Sequence, residues 1–366
     1  MTPRERVLRV LRGERPDCVP WFGDLDYWAT ALIDRGEKPP DFKTSAAYID
    51  WHRELGVGFY LQGYFPFRTI FETVRIEEWR ADRDRYRRVI TPRGALLERW
   101  RWLPDSFTEA PVERLVKSAA DLPAYSWLHR HLRYELNYEF AKQRLGQVGE
   151  MGIVLAYLPK SPLMQMVALD AGIEAVVEMR TDAPAVFDDA MAALSASHGR
   201  AAEIAVESPA EAFMIPENLS SEVVGPALYE KYMRPYHETW TAKIRAAGKF
   251  SCVHLDGTLR GLLRQVASAG FDFIEAMTPA PVGDLAVADW AEFTRSEKTV
   301  FWGGLPGIFF TDLVSDHDFE GHVRNVLAVM KREPRYVLGV ADQVPPDGLE
   351  RRVRRVAELV EEFGCY

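Results

Sequence analysis

The chain has 366 residues, of which 47% are hydrophobic and 27% are charged, a composition typical of a globular protein with a large core. Its 54 acidic and 45 basic residues give a formal net charge of −9, so the chain lacks the overall basic character of a nucleic-acid-binding protein. No apolar run approaches the ~20 residues of a membrane span, and the charged N-terminal segment lacks the apolar stretch of a signal peptide. We therefore expect a protein that binds neither nucleic acid nor a membrane.

The three cysteines are Cys18, Cys252 and Cys365. They are too far apart in sequence to indicate a small disulfide framework. Because intracellular compartments keep such thiols reduced, we expect a cytoplasmic protein with unpaired cysteines.

The N-terminal part of the chain predicts one helix and two short strands. Thr2 can cap a helix that has Pro3 at its first position and ends near Gly13. The apolar runs at 18–22 and 57–63 are strand candidates, and the first of them is followed by the acidic and aromatic sequence GDLDYW.

A β-hairpin is predicted in the segment RYRRVITPRGALLERWRW, at residues 85–102. Apolar and polar residues alternate on both sides of the turn sequence TPRG at 91–94. Alternation around a proline- and glycine-containing turn is typical of two antiparallel strands.

From Met151 onward, strands and helices alternate regularly. The strand candidates are 152–158, 211–217, 250–255, 271–277, 299–305 and 335–340. Helical stretches at 162–181, 184–207, 220–247, 258–269 and 318–332 separate most of them, and a helix at 347–363 ends the pattern. Such alternation predicts a parallel sheet, and the short, continuously apolar strands indicate that helices cover both faces or that the sheet is closed.

An open doubly wound sheet and a closed barrel both fit this alternation, and two observations favour the barrel. No glycine-rich dinucleotide or phosphate fingerprint follows any strand. The six later candidates, with 18–22 and 57–61, give the eight strands of a TIM barrel. Because no linker divides the chain, we predict an α/β fold with one (β/α)8 barrel domain over residues 1–366, with an N-terminal helical extension.

Polar residues follow the carboxyl ends of these strands, where barrel enzymes place their active sites. In chain order they are Trp21, Asp24, Asp26, Tyr27, Tyr157, Glu217, Asn218, His254, Asp256, Glu275, Gly304 and Asp342. Cys252, His254 and Asp256 share one face of an extended strand, and we expect Cys252 to lie one layer deeper than the other two.

The converging carboxylates would repel one another unless a cation or bound protons offset their charge. Oxygen and imidazole ligands suit a divalent metal such as zinc, and the candidate ligands are His254, Asp256, Glu217 and Asp342. The same groups could instead act as general acid and base, with His254 and Glu275 as the catalytic pair and Tyr157 as a proton donor. The expected substrate-binding residues are Trp21, Asp24, Asp26, Tyr27, Asn218 and Gly304.

The chain resembles the uroporphyrinogen decarboxylase superfamily over nearly its full length. The resemblance rests on LRGERPDCVPWF, TPRGALLERW, LYEKYMRPYHETWTAKIRAAG, VHLDG, GFDFIEAMTPAPVGDL, VFWGGLP and VADQVPPDGLERRVRRVAELVEEFG. It implies a (β/α)8 barrel with a cleft at the carboxyl ends of its strands.

One branch of the superfamily decarboxylates uroporphyrinogen without a cofactor. Its members have a basic segment after the first strand and a histidine near the last strand. This chain resembles them in neither feature, because it has WFGDLDYW at the first place and GVADQ at the second. We therefore expect no turnover of uroporphyrinogen.

The other branch contains cobalamin-dependent methyltransferases, such as methylcobalamin:coenzyme M methyltransferases. They hold zinc with a histidine, a cysteine two residues later and a second cysteine near the last strand. His254 matches that histidine, whereas Asp256 stands at the first cysteine position and the second falls near Ala341 and Asp342. The resemblance implies a corrinoid presented by a partner protein, and the carboxylates would replace the thiolates as harder ligands.

The leading hypothesis is a corrinoid-linked methyltransferase, assisted by a metal, that acts on a small methylated or methoxylated substrate. One alternative is a decarboxylase or lyase on the same barrel. The other is a non-catalytic barrel that binds a ligand or a corrinoid protein. A homodimer is also expected.

Overall fold

The computed structural model describes residues 1–60 and 63–366. The strands, numbered in chain order, are β1 (Trp21–Phe22), β2 (Phe67–Ile70), β3 (Arg75–Ala81), β4 (Asp84–Thr91), β5 (Gly94–Leu103), β6 (Thr108–Glu113), β7 (Arg133–Leu136), β8 (Leu155–Tyr157), β9 (Ala212–Leu219), β10 (Phe250–Leu255), β11 (Phe273–Met277), β12 (Val300–Pro306) and β13 (Tyr336–Ala341).

The α-helices are α1 (Pro3–Leu11), α2 (Asp26–Asp34), α3 (Ala46–Leu55), α4 (Leu122–His131), α5 (Glu139–Val148), α6 (Pro162–Met164), α7 (Ile173–Asp182), α8 (Pro184–Glu207), α9 (Pro226–Leu228), α10 (Arg234–Ala246), α11 (Leu263–Ser268), α12 (Trp290–Thr294), α13 (Asp316–Met330) and α14 (Glu350–Phe363). Single π-helical turns continue α6 over Gln165–Asp170 and α9 over Tyr229–Met233. Among the described residues, no helix is both long and apolar enough to cross a membrane.

The core is a curled parallel sheet with the strand order β1-β13-β12-β11-β10-β9-β8. Alternate residues of each strand point to opposite faces. One set packs against the surrounding helices, and the other set forms an inner cluster that contains Phe22, Leu155, Met214, Cys252 and Phe273. Cys252 is fully buried there, so the predicted deeper position of this thiol is confirmed.

Residues 57–60 bridge the two edges of this sheet. Gly58 N donates to Trp21 O at 2.9 Å, and Phe59 N donates to Met151 O at 2.8 Å. A side chain at Gly152 is excluded by this approach, because its Cβ would lie 1.8 Å from the carbonyl oxygen of Phe59. The predicted strand at 57–63 is represented here by two isolated bridges, and its residues 61 and 62 lie outside the described part of the chain.

Trp302 fills the centre of the inner cluster. Its ring centroid lies 4.5 Å from that of Tyr60 and 5.2 Å from that of Phe273. The neighbouring strand leaves room for the indole, because a Cβ on Gly339 would lie 2.6 Å from Trp302 Cδ1. The interior is therefore packed with side chains, and a ligand can bind only above this layer, at an end of the sheet.

Helix α1 covers the amino ends of the strands, as the predicted helical extension requires. Thr2 caps it and Pro3 is its first residue, which confirms the predicted start. Its Val7 and Val10 are fully buried in the inner cluster. With that end covered, the carboxyl ends of the strands are left as the accessible end of the sheet.

Two antiparallel units lie outside the parallel sheet. One has the strand order β3-β4-β5-β6, and the other pairs β2 with β7. The predicted hairpin is confirmed, because β4 pairs with β5 in register from Asp84↔Arg101 to Thr91↔Gly94. Thr91 Oγ1 donates to Gly94 O at 2.9 Å and accepts a bond from Arg93 N at 3.0 Å, so the threonine holds the turn.

The cysteines differ from the sequence-based expectation. Cys18 and Cys365 form a disulfide across a sequence separation of 347 residues, and Cys252 alone is free. The backbone brings the two ends of the chain together there, because Val19 N donates to Gly364 O and Tyr366 N donates to Asp17 O. The expectation of three unpaired thiols was wrong because distance along the sequence does not report this juxtaposition.

Candidate active site

The residues of the site stand on the inner face of neighbouring strands. In β10 the inward residues are Cys252 and then His254, whereas Val253 packs against the helices. In β11 Phe273 points inward, so Glu275, two residues later, does so as well. The register pairs His254 directly with Glu275. Strand pairing therefore places an imidazole beside a carboxylate at the carboxyl end of the sheet, which we call the mouth.

Glu275 is held between two donors. His254 Nδ1 lies 2.7 Å from Glu275 Oε2, and Tyr60 OH donates to Glu275 Oε1 at 2.7 Å. Glu275 and Tyr60 are each 1% exposed. A buried carboxylate with a hydrogen bond to each oxygen is fixed in position, so it orients the imidazole of His254.

The other ring nitrogen of His254 points into the mouth. Nε2 is buried and has no hydrogen-bond partner among the described residues. Asp342 Oδ1 lies 3.6 Å from it and Asp256 Oδ1 lies 4.0 Å from it, both beyond hydrogen-bond distance. Because a buried polar atom without a partner is costly, Nε2 is the atom of this site best placed to meet a ligand.

Burial opposes the charged form of His254, but the carboxylates of Glu275, Asp256 and Asp342 outweigh it and raise the pKa of His254 to about 9. The imidazole is therefore a cation at neutral pH and carries a proton on Nε2. Burial and the nearby Glu275 raise the pKa of Tyr60 well above its usual value. Tyr60 thus remains a neutral donor to Glu275.

Asp24 lies on the inner side of the segment that follows β1. Burial, then repulsion from Asp26, raise the pKa of Asp24 well above its usual value. Its Oδ1 accepts a bond from Asp26 N and its Oδ2 accepts one from Gln343 Nε2, each at 2.8 Å. The charge of Glu275 also acts on Asp24, so Asp24 belongs to the same electrostatic cluster as the pair.

Asp342 ends β13 in a backbone conformation that is unusual for a residue with a side chain, with φ 72°. Its side chain is 57% exposed, so it stays accessible from the mouth. Burial raises the pKa of Asp342. The charge of His254 opposes this rise, whereas the carboxylates of Asp256 and Glu275 add to it. Strained residues of this kind are frequent at functional sites.

Tyr157 ends β8 on the inner face. Burial, Asp24 and Glu275 together raise the pKa of Tyr157 well above its usual value. The ring of Phe65 packs edge-on against it with a centroid distance of 5.5 Å. The phenol is therefore a neutral group at the side of the mouth.

Comparison with known proteins gives the family. A family model described as "Uroporphyrinogen decarboxylase (URO-D)" matches residues 146–363. The chain belongs to the uroporphyrinogen decarboxylase family. The predicted resemblance is thereby confirmed, and the matched part includes β8 to β13 and most of the site.

Among solved structures, a methyltransferase from Methanosarcina mazei matches this family member with a TM-score of 0.64 and 14% identity over 99% of both chains. Identity this low shows a shared fold. An FMN-binding beta-glucuronidase from Facaelibacterium prausnitzii L2-6 matches with a TM-score of 0.29 and 7% identity over 72% of this chain and 46% of the other, and that similarity carries no weight. A search of curated proteins found no match.

The structure does not place Glu217 with the other acids of this uroporphyrinogen decarboxylase family member. Met214 points inward on β9 and Ile215 outward, so Glu217 also points outward to the helices. Its Oε1 lies 2.7 Å from His237 Nε2 and accepts a bond from Ser161 N at 3.0 Å. Glu217 is fully buried there, which indicates a structural role.

Replacement of Glu217 by Gln should therefore lower the free energy of unfolding by about 1–3 kcal/mol, because the amide leaves a buried donor unpaired. Catalysis should be unchanged. Urea unfolding followed by circular dichroism measures the first effect. Glu222→Gln on an exposed neighbouring loop is the matched control. Unchanged stability together with lost activity would instead assign Glu217 to the site.

Trp21 also points away from the pair. Burial, then the Asp342 carboxylate, raise the pKa of Tyr27, so this phenol lies near the mouth. The Trp21 ring stacks on Phe310 at 6.3 Å in the outer layer, and Tyr27 OH donates to the backbone oxygen of Ser106. Both therefore pack against other parts of the chain.

Asp26, Asn218 and Gly304 lie around the site without contacting His254. Asp26 pairs with Lys43 at 2.9 Å. Asn218 Oδ1 accepts a bond from Lys160 Nζ at 3.4 Å. A Cβ on Gly304 would lie 2.5 Å from Tyr336 OH, so this glycine is needed for packing between strands. Asp26 remains electrostatically linked to the site through Asp24.

No pattern in the sequence indicates Tyr60 as a residue of the site. It was inside the strand candidate at 57–63, but nothing in the sequence related it to Glu275, which lies 215 residues away. An inward-pointing tyrosine near a strand end was the one signal available.

The donor set does not fit a resident metal ion. Within residues 1–60 and 63–366, no three His, Cys, Asp or Glu side chains are arranged to hold one. A tetrahedral site needs at least three protein ligands near 2 Å, and Glu217 is turned away. The arrangement instead provides a buried acid with an accessible proton on His254.

Proposed function

We propose that this protein transfers a methyl group from a small methylated or methoxylated substrate to a corrinoid carried on a partner protein. The observation that carries the proposal is the partnerless Nε2 of His254 at the mouth, backed by Glu275. The fold shared with a methyltransferase supports it. We further propose that residues 57–60 complete an eight-stranded barrel around this site, with the bridges at Gly58 and Phe59 in support.

Loss of a methyl group from a methoxylated substrate breaks a C–O bond and leaves negative charge on the oxygen. The corrinoid, when bound, supplies the nucleophile that accepts the methyl group. His254 donates its Nε2 proton to the departing oxygen and becomes neutral. Glu275 keeps Nδ1 protonated through the 2.7 Å hydrogen bond, so the ring orientation is retained throughout.

The surrounding acids support this role for His254. Asp256 and Asp342 lie 4.0 and 3.6 Å from Nε2 and stabilise its proton before transfer. Neither makes a hydrogen bond to Nε2 at these distances, so a substrate oxygen can take that place. Tyr157 offers a second neutral donor at the side of the mouth.

The loops at the mouth offer a surface for a partner protein. The exposed apolar side chains Val223, Val282, Ile308 and Leu313 lie on loops that follow β9, β11 and β12. Single exposed apolar residues are common on protein surfaces, whereas several at one end of a fold are typical of an interaction surface. A partner that presents a corrinoid would approach from this side, where Asp342 is also accessible.

A decarboxylase or lyase is the second candidate, favoured by the family match. The same proton on His254 could quench a carbanion formed by loss of CO2. Uroporphyrinogen itself suits the mouth poorly, because its carboxylate arms would meet Asp24, Asp256 and Asp342. A decarboxylase on this chain would act on a less anionic substrate.

A methyl-transfer assay with free cob(I)alamin tests the proposal. Small methoxylated and methylated donors are incubated with the protein, and methylcobalamin is followed by its absorption spectrum. Methylcobalamin formation that depends on the enzyme is the expected result. Formation of CO2 from carboxylated donors without methylcobalamin would favour the second candidate. Absence of both would contradict an enzymatic role with these donors.

A further inference from the structure

A cavity of about 370 Å³ lies beside the mouth, between the antiparallel units and helices α4 and α8. This volume is within the range of sites for small molecules. It does not include His254 or Glu275. The cavity is therefore a separate feature from the site described above, although Phe65 contacts both regions through Tyr157.

Most of the cavity wall comes from the part of the chain before the family match. Phe67, Phe71, Leu128 and Tyr134 line it and precede residue 146, where the match begins. Most of the cavity thus lies outside the part of the chain that the family model matches, and its chemistry must be read from its own side chains.

The apolar wall is aromatic and suits a flat ring. Phe67 and Tyr134 belong to paired strands, with ring centroids 5.6 Å apart and planes at 89°. Phe65 packs edge-on against Phe67 at 5.4 Å. Leu128 of α4 adds an aliphatic surface. Aromatic rings prefer edge-to-face or offset contacts with one another, so the ring of a ligand can pack against this wall in the same way.

Arg87 supplies a cation to the cavity. Its guanidinium lies 3.5 Å from Glu98 and 3.9 Å from Glu78, and both distances are longer than a charge-assisted hydrogen bond. It also stands over the Phe71 ring at 5.4 Å. The guanidinium is therefore held in place by loose ion pairs that leave N–H groups for a ligand anion.

His129 of α4 supplies a polar group with no internal partner. The residue is 8% exposed, and its Nδ1 makes no hydrogen bond within the described part of the chain. Asp170 also lines the cavity, but its Oδ2 already accepts bonds from Tyr125 OH at 2.5 Å and Gln165 Nε2 at 3.1 Å. The acid is thus partly satisfied, whereas His129 keeps an unpartnered ring nitrogen and Arg87 keeps N–H groups beyond its two long ion pairs. Burial, His198 and Arg200 lower the pKa of His129 well below its usual value, so the histidine meets a ligand as a neutral donor.

We propose that this cavity binds a small aromatic monocarboxylate. Its ring packs against Phe67 and Tyr134, and its carboxylate meets Arg87 and His129. Lys160 also lines the cavity, but its Nζ donates to Pro216 O and Asn218 Oδ1, so Arg87 is the cation that meets the carboxylate. Binding at this site does not depend on methyl transfer.

Isothermal titration with 2-naphthoate tests the proposal on the full-length protein, with 2-naphthylmethanol as the uncharged probe. Arg87→Met should weaken 2-naphthoate binding about tenfold, the effect of a lost charged hydrogen bond, and leave 2-naphthylmethanol unchanged. Arg88→Met is the matched control, because the adjacent residue of β4 faces the other side and pairs with Glu77. It should bind both probes like the wild type.

Thr69→Trp provides a second variant that does not rely on charge. Thr69 lines the cavity from β2, where tryptophan is well tolerated, and the larger ring should fill the space and abolish binding of both probes. His254→Ala should keep 2-naphthoate binding, which separates this cavity from the methyl-transfer site. The proposal would be overturned by any of three results. The wild type does not bind 2-naphthoate at millimolar concentration, Thr69→Trp still binds it, or His254→Ala no longer binds it.

Discussion

Replacement of His254 by Ala is expected to lower methyl transfer about 10²–10⁴-fold, the usual contribution of a positioned general acid. The loss should fall on kcat with little change in KM, because the proton acts on the departing oxygen in the transition state. Single-turnover formation of methylcobalamin from a methoxylated donor measures it.

His254→Gln makes the test sharper. The amide can still donate to Glu275 and so keeps a partner on the buried carboxylate, but it cannot give up a proton at neutral pH. Both variants should be equally inactive, and both should unfold at a lower urea concentration than the wild type, because each removes the cation beside the buried Glu275. The decrease should be smaller for His254→Gln, which keeps a donor to Glu275. His317→Ala, on the exposed first turn of α13, is the control and should be fully active. Activity above a tenth of wild type in His254→Gln would contradict a general-acid role.

The sequence predicted the later strands well because parallel strands covered on both faces are continuous apolar runs. The strand at 250–255 has the predicted bounds, and that at 335–340 is shifted by one residue. The helix at 220–247 was less accurate, since the chain first forms α9 and a π-helical turn before α10 begins at Arg234. Loop residues before a helix carry no apolar period that would mark its start.

The site was only partly predictable from strand ends. The pairing of His254 with Glu275 follows from two neighbouring strands whose inward residues lie at the same height. Glu217 also lies near the carboxyl end of a strand, but its side chain is on the outward face, where it meets His237. The face of a side chain depends on the register of the strand and cannot be read from the position of the strand's end. A shift of one residue in the register of a strand moves each side chain to the other face, and the sequence alone does not determine the register.

Contacts between distant parts of the chain were not predictable in the same way. Tyr60 reaches Glu275 across the interior of the curled sheet. Cys18 reaches Cys365 because β1 lies beside the last strand, β13. No local pattern encodes such a contact. The cavity beside the mouth also depends on how the antiparallel units pack on α8, which strand and hairpin signals leave open.

Glu275→Gln should remove the charge that holds a proton on His254. Of the three carboxylates that raise the pKa of His254 to about 9, Glu275 contributes most and is the only one in hydrogen-bond contact with it. Without this charge, burial dominates and the pKa should fall to or below the ordinary value near 6.5. The imidazole is then mostly neutral at pH 8, and it loses the proton that the reaction needs.

The wild-type kcat should therefore be level through neutral pH and fall as pH rises through about 9. In Glu275→Gln the fall of kcat with rising pH should occur at about pH 6.5 or lower, and kcat at pH 8 should be reduced by about tenfold or more. Tyr60→Phe is the matched control, because it removes the second hydrogen bond of Glu275 but leaves the charge of Glu275 in place. In this variant kcat should still fall near pH 9.

The same charge links stability to pH. Because the folded-state pKa of His254 is raised, its protonated form stabilises the fold fully below about pH 6.5, and this contribution is lost as pH rises through about 9. Glu275→Gln should show less of this loss. Urea unfolding between pH 6 and 10 measures the stability, and ¹⁵N NMR of the imidazole measures the pKa. An unchanged imidazole titration in Glu275→Gln would show that Glu275 does not hold the proton on His254.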